Sequence, residues 1–134
     1  MRELINSDPL FIDHRENLQV AITKIVSSYN DCFLATNENN VVGIVTCHDL
    51  LRSISSLGLE RALQQDVSKV MSAPVEFASY PHLSREISRM SCDFSIKHFP
   101  VIRGKVEPFI KNIIGIVSST NIGVNALAKK ALDF

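Results

Sequence analysis

Apolar residues recur at helix spacing and at strand spacing, in a fixed order, along the first half of the chain. A stripe typical of one helix face follows Asn17, a residue suited to an N-cap, and comprises Leu18, Ala21, Ile22, Ile25, Val26 and Tyr29. Two apolar runs typical of strands lie at 32–36 and 41–45, separated by the polar turn 37–40. A further helical stripe, which ends before Gly58, comprises Leu50, Leu51, Ile54 and Leu57.

The same order of elements recurs in the second half of the chain. Ser7 is matched by Ser72, 65 positions later, and the Gly-Ile-Val-Thr segment 43–46 is matched by Gly-Ile-Val-Ser at 115–118, 72 positions later. The difference between 72 and 65, seven residues, predicts an insertion in the second copy between positions 100 and 115. The Gly and Pro residues in this stretch favour a lengthened hairpin there.

The second copy supplies the remaining elements. A helical stripe comprises Leu83, Ile87, Met90 and Phe94, strand-like runs follow at 98–102 and 113–117, and a closing helix is expected over 121–134. With a short strand before each first helix, the chain predicts an α+β fold of two β-α-β-β-α repeats, at residues 1–65 and 66–134. Because a copy of roughly 60 residues buries too little surface to be stable alone, the two are expected to pack together around a cleft.

Composition and charge exclude several classes of function. The 134 residues include 14 Lys+Arg and 14 Asp+Glu, so the formal net charge is zero and gives no electrostatic excess for binding nucleic acid. No apolar run approaches the ~18–20 residues of a membrane-spanning helix, and the N-terminal residues lack the apolar core of a signal peptide. The expected protein is therefore cytoplasmic, with neither a nucleic acid nor a membrane as partner.

No motif in the sequence indicates catalysis or a metal site. Cys32, Cys47 and Cys92 form no Cys-x-x-Cys pair and are expected to be reduced, buried thiols. His48 follows Cys47, but neighbouring helical residues point to different faces and no third ligand lies at a regular spacing. Glycine-rich phosphate loops, nucleophile elbows and His-Glu-x-x-His motifs are absent from the sequence, so we do not expect an enzyme.

The junction between the second strand and the following helix carries the strongest candidate chemistry. Thr46 and Asp49 lie three residues apart where the helix begins. Free amides at a helix N-terminus favour phosphate, and an ionised carboxylate can accept hydrogen bonds from the two hydroxyls of a ribose. The same Thr-x-x-Asp spacing is equally that of an ordinary capping arrangement, and the spacing alone favours capping.

The repeat, the Gly-Ile-Val-Thr-x-x-Asp-Leu junction at 43–50 and the lead-in Val-Ser-Lys-Val-Met-Ser-Ala-Pro at 67–74 resemble a tandem pair of CBS (cystathionine-beta-synthase) domains, also called a Bateman module. The resemblance covers residues 4 to 127. It implies two repeats packed through their sheets, a flat homodimer, and a regulatory module that binds an adenine nucleotide between its repeats and signals to a partner protein. The implied ligand is AMP, ADP or ATP, bound as a regulatory ligand and not as a cofactor.

The resemblance also implies roles for particular residues. Asp49 would hold the ribose, Thr46 would contact phosphate, the Ile44 backbone would lie beside the nucleoside, and His48 adjoins them. Apolar lead-in residues, here Val70 and Val75, would enclose the adenine.

The second copy departs from this pattern. Its junction comprises Ser118, Ser119, Thr120 and Asn121, so an amide replaces the carboxylate and weaker binding is expected. The matching apolar residues would be Ile5 and Leu10, and basic phosphate contacts would come from Lys97 and His98. Asn121 in place of Asp, and the absence of basic residues at the matching positions Cys32 and Phe33 of the first copy, favour an alternative function, a dimerisation or interaction scaffold that keeps the fold without binding a ligand.

Overall fold

The computed structural model describes residues 5–81 and 98–118. Three candidate site residues lie outside this part of the chain, namely Lys97, Thr120 and Asn121. The same holds for Cys92 and for the helices expected over 83–94 and 121–134. By its internal contacts the chain divides into two compact units. The first unit is Pro9–Val75 with Pro108–Lys111, and the described part of the second unit is 5–8, 76–81, 98–107 and 112–118.

The first unit contains a three-stranded sheet and four helices. Its elements are β1 (Phe11–Asp13), α1 (Leu18–Val26), β2 (Cys32–Asn37), β3 (Asn40–Thr46), α2 (Cys47–Leu57), α3 (Leu59–Leu63) and α4 (Val67–Val70). The sheet order is β1-β2-β3, with β1 parallel and β3 antiparallel to β2. The order predicted for the first repeat is therefore confirmed, and α3 and α4 extend it.

Local sequence signals explain where these helices begin and end. The Asn17 side chain caps α1 by accepting a hydrogen bond from the backbone N–H of Val20 at 3.0 Å, as predicted. At the end of α2, Gly58 adopts a φ of 83°, a conformation that favours glycine, and its N–H donates to the Ile54 carbonyl.

Three residues assigned to helical core stripes are exposed instead, namely Val26, Tyr29 and Leu51. Helix α1 ends at Val26, so Tyr29 lies beyond it in solvent. Leu51 is exposed because a helix turns 100° per residue, and only Leu50, Ile54 and Leu57 of the predicted stripe reach the half-buried side of α2.

The core of the first unit lies between its sheet and the faces of α1 and α4. It consists of Ile12, Leu18, Ala21, Phe33, Ala35, Val45 and Val67. Cys32 is buried as expected, and burial, with the charge of Asp31, raises the pKa of its thiol to about 12. Cys47 contradicts the expectation of a buried thiol, because as the first residue of α2 it faces solvent.

The second unit repeats the sheet of the first. Strands β4 (Ala78–Tyr80), β5 (His98–Arg103) and β6 (Ile113–Ser118) have the order β4-β5-β6, with β4 parallel and β6 antiparallel to β5. Its core contains Ile5, Ala78, Phe99, Val101 and Val117. The two strand runs predicted in the second copy are thus confirmed.

The lead-in segments do not follow the repeat boundary between residues 65 and 66. Asn6 forms an antiparallel bridge with Ile116, so the chain start belongs to the sheet of the second unit. Ser72 forms the equivalent bridge with Ile44 in the first unit. Each lead-in therefore pairs with the last strand of the other sequence repeat, Asn6 with β6 and Ser72 with β3. For this reason the compact units differ from the sequence repeats.

The predicted insertion is confirmed in the connection between β5 and β6. This connection spans 104–112, whereas the connection between β2 and β3 spans only 38–39. Part of it, Pro108–Lys111, belongs to the first unit and bonds to the β2–β3 turn. The Val41 N–H donates to the Pro108 carbonyl at 2.9 Å, and the Ile110 N–H donates to the Asn39 carbonyl at 2.8 Å.

None of the helices in residues 5–81 and 98–118 is both long enough and apolar enough to cross a membrane.

Candidate functional site

The Asp49 carboxylate is buried at the start of α2, with 5% of the residue exposed. Thr46 ends β3 and is the N-cap of the helix. Oδ2 of Asp49 accepts the backbone N–H of Thr46 at 2.8 Å and its hydroxyl at 3.1 Å. One carboxylate oxygen thus serves the capping arrangement that the spacing favoured.

The other carboxylate oxygen, Oδ1, accepts hydrogen bonds from two side chains that come from different segments. Arg52, one helical turn further along α2, donates through Nη2 at 3.0 Å and forms an ion pair. The hydroxyl of Ser72 donates at 3.1 Å. Ser72 is held there because its backbone exchanges two hydrogen bonds with Ile44, with N···O distances of 3.1 and 2.8 Å.

A cleft of about 290 Å³ opens beside Asp49, between α2 and residues 65–70. It is lined by Asp49, Arg52, Ser53, Ser56, Leu57, Gln65, Lys69 and Val70, all in the first unit. The Ser53 hydroxyl donates to Gln65 Oε1 at 2.7 Å and so fixes the two walls. Because Arg52 neutralises Asp49, Lys69 leaves the lining with one excess positive charge.

The structure brings only some of the predicted first-copy residues together. Asp49 and Val70 both line the cleft. The Thr46 hydroxyl donates to Asp49, and the Ile44 backbone exchanges hydrogen bonds with Ser72. Both therefore hold a residue of the site in place. His48 is exposed on α2.

Two further predicted residues lie elsewhere in the first unit. Val75 and Leu10 are half-buried and are not part of the cleft lining formed by the described residues. Leu10 packs against the core, and its carbonyl accepts the Leu34 N–H.

In the second unit, the structure describes two of the predicted residues. Ser118 is the last residue of β6 and is paired with His98, the first residue of β5. The equivalent positions in the first unit are Thr46 and Cys32, which are paired in the same way. The strand register of the junction is therefore the same in both copies.

Sequence reasoning missed Arg52, Ser72, Gln65 and Lys69. Arg52 had a usable signal, because a residue three positions after a carboxylate lies on the same helix face. Ser72 belonged to the repeat pattern, but its contact with Asp49 depends on a single bridge to β3 that leaves no periodic signal in the sequence.

Comparison with known proteins places this arrangement in a familiar fold. Residues 1–56 match the family model of the CBS domain. The CBS domain pair of protein MJ0100, solved in complex with 5'-methylthioadenosine and S-adenosyl-L-methionine, is 15% identical with a TM-score of 0.73, over 96% of this chain and 95% of that one. The chain has the fold of a CBS domain pair.

Further solved structures with CBS domains show the same likeness in fold. A CBS-domain-containing protein from Agrobacterium tumefaciens is 20% identical, with a TM-score of 0.69 over 84% of this chain and 79% of that one. A hexameric CBS-CP12 protein from bloom-forming cyanobacteria is 18% identical, with a TM-score of 0.70 over 90% and 67%. No curated protein sequence matches the chain.

Proposed function

We propose that this CBS pair is a regulatory module that binds an adenosine-containing ligand of the AMP, ADP or ATP class beside Asp49. The observation that carries the proposal is the buried Asp49 carboxylate, which lines a cleft together with Val70. Ligand occupancy would then favour one conformation or assembly over another, which a partner protein could recognise.

The chemistry of the cleft suits a nucleoside. An ionised carboxylate accepts hydrogen bonds from a vicinal diol, and bonds to a charged acceptor contribute about 1.5–3 kcal/mol each. Val70 offers an apolar surface for a flat ring. Ligand pockets commonly measure about 300–1,000 Å³. At about 290 Å³, the cleft has room for the nucleoside portion of such a ligand.

One solved CBS structure supports the adenosine part of the proposed ligand. The MJ0100 domain pair holds two adenosine-containing molecules, 5'-methylthioadenosine and S-adenosyl-L-methionine. The cyanobacterial CBS-CP12 protein is a hexamer, which supports self-association as one route by which occupancy could be signalled. We propose a homodimer here, with a regulated protein as a further partner.

One observation favours a second candidate function, a scaffold that binds no ligand. Asp49 already accepts four hydrogen bonds from Thr46, Arg52 and Ser72. A carboxylate with a full set of donors is satisfied without a ligand. In that case the cleft would be a structural consequence of the fold.

Calorimetric titration and thermal shift with AMP, ADP, ATP, S-adenosylmethionine and NADH test the proposal. A ligand at 100 times its Kd should raise the free energy of unfolding by about 2.7 kcal/mol. Asp49→Asn should weaken binding about tenfold or more, since one hydrogen bond to a charged acceptor is lost or reversed. Asp13→Asn, which changes a half-buried carboxylate at the end of β1 outside the cleft lining, is the matched control and should bind as the wild type does.

A variant that leaves Asp49 intact separates lost binding from lost folding. Val70→Trp should fill the cleft and abolish binding while the capping bonds of Asp49 remain. If no adenosine compound binds the wild-type protein or changes its melting temperature, the sensing function is wrong and the scaffold is favoured.

A further inference from the structure

We infer that the cleft selects adenosine ligands that carry an anionic group, with Arg52 and Lys69 as the residues that recognise the anion. The inference rests on the proposed function and adds the charge of the ligand to it. It arises from the way in which the donors are divided between the two oxygens of Asp49.

Oδ1 is the oxygen that a ligand can reach. The donors to Oδ2 are the backbone N–H and the hydroxyl of Thr46, which the end of β3 fixes in place. The donors to Oδ1 are the side chains of Arg52, which is 65% exposed, and of Ser72, which is also exposed. Both can rotate into solvent without a change in the backbone. Two ligand hydroxyls can therefore replace two side-chain donors at Oδ1.

Replacing these donors has unequal costs. A displaced Ser72 hydroxyl is neutral and exposed, so water satisfies it. A displaced Arg52 guanidinium loses its ion pair with Asp49 while it still lines the cleft. The Arg52 guanidinium is 65% exposed, so water can solvate it once it is released and a ligand can break the pair, but the lost attraction still counts against a neutral ligand.

An anionic ligand recovers this loss. Once released, Arg52 lies beside the cleft together with Lys69, whose ammonium has no ion pair with a carboxylate among residues 5–81 and 98–118. A phosphate on the ligand would meet two cations, one of which can form bidentate hydrogen bonds. A neutral nucleoside gains nothing from either residue, and a sulfonium compound would be repelled by both.

The experiment compares adenosine with AMP by calorimetric titration at low salt. The wild type should bind AMP about tenfold or more tightly than adenosine, and this ratio should fall as salt screens the two cations. Arg52→Gln should weaken the affinity for AMP and should strengthen the affinity for adenosine or leave it unchanged. The ratio of the two affinities should then be close to one. Lys69→Gln should lower the ratio by weakening the affinity for AMP only. The affinity for adenosine should stay unchanged, because Lys69 does not bond to Asp49.

Ser72→Ala is the matched control, because it also removes one donor from Oδ1 but no charge. It should change the affinity for AMP and for adenosine by the same factor, so that their ratio stays at the wild-type value. The main-chain bonds of residue 72 with Ile44 do not depend on its hydroxyl, and the circular dichroism spectrum should be retained.

The outcomes separate this inference from the function on which it rests. If neither AMP nor adenosine binds the wild type, the proposed function and the inference both fail. If both bind with similar affinity, or if Arg52→Gln leaves their ratio unchanged, the proposed function stands and the role of Arg52 is wrong. Equal changes in the affinity ratio for Arg52→Gln and Ser72→Ala would also overturn the role of Arg52, since the charge of Arg52 would then not be the cause of the preference for AMP.

Discussion

At the residue scale, Asp49 shows how one side chain can serve both the fold and a ligand. Its spacing from Thr46 is compatible with helix capping and with ribose binding, and these appear as alternatives in the sequence. The structure assigns capping to Oδ2 and leaves Oδ1 in exchangeable contacts with Arg52 and Ser72. The two roles therefore do not compete for the same atom.

Asp13 provides a carboxylate whose partners are local, since they all belong to Arg15, two positions along the chain. Its oxygens accept the Arg15 backbone N–H at 2.8 Å and the guanidinium at 3.0 and 3.1 Å. The Arg15 side-chain and backbone hydrogen bonds lower the pKa of Asp13 from 3.8 to about 2. A carboxylate whose pKa is lower in the folded state stabilises that state above its unfolded pKa, and this contribution is lost as pH falls from about 4 to about 2.

We predict that Arg15→Gln raises the pKa of Asp13 toward its ordinary value, because the guanidinium is removed while the backbone N–H remains. A titration of the side-chain carboxyl carbon by NMR measures this shift. Lys24→Gln is the control, since Lys24 pairs with Glu16 and should leave Asp13 unchanged. An unaltered pKa of Asp13 in Arg15→Gln would contradict the assignment to Arg15.

At the scale of elements, the recurring glycines let each lead-in segment lie directly against a strand. A Cβ on Gly115 would collide with the backbone carbonyl of Asn6, and a Cβ on Gly43 would collide with the side chain of Met71. A backbone carbonyl held by the Asn6–Ile116 bridge cannot move without loss of that bridge, whereas the flexible Met71 side chain can rotate away.

We predict that Gly115→Ala destabilises the fold more than Gly43→Ala does. Overpacking typically costs about 1–3 kcal/mol, and Gly115→Ala should lie at the upper end of that range and Gly43→Ala at or below the lower end. Urea unfolding followed by circular dichroism compares the two variants. Equal losses of stability, or a greater loss for Gly43→Ala, would show that the close contact at Asn6 is not decisive.

Most of the described elements could be predicted because their signals are local. The N-cap at Asn17 and the helix end at Gly58 each follow from a few neighbouring residues, and the length of the inserted hairpin follows from comparison of the two repeats. The bridges of Asn6 and Ser72 could not be predicted, since a single pair of residues has no periodicity. The site follows the same rule: the Thr46–Asp49 contact is local, whereas Ser72 reaches Asp49 across 23 positions.

At the scale of the whole molecule, two exposed leucines on adjacent helices bear on self-association. Leu51 on α2 is 60% exposed and Leu59 on α3 is 58% exposed. Scattered exposed apolar residues are common in soluble proteins, so their role needs a direct test. The proposed homodimer gives them a use, since an interface would remove both from water.

We predict that Leu51→Glu combined with Leu59→Glu converts the proposed homodimer to a monomer, because two buried charges would be introduced on each side of the interface. Size-exclusion chromatography with light scattering measures the mass. Val26→Glu on α1, where the wild-type residue is 77% exposed, is the matched control and should remain a dimer. A dimer that survives the double substitution would place the interface elsewhere.

The bridge between Asn6 and Ile116 has a consequence for how the chain folds during synthesis. Residues 9–75 form a nearly contiguous unit that can assemble once Ser72 has left the ribosome, and only Pro108–Lys111 joins it later. The second unit cannot do the same, because its lead-in is made first and its partner strand is made 110 residues afterwards. The bridge of Asn6 can therefore form only after Ile116 has been made, so the sheet of the second unit closes later in synthesis than that of the first.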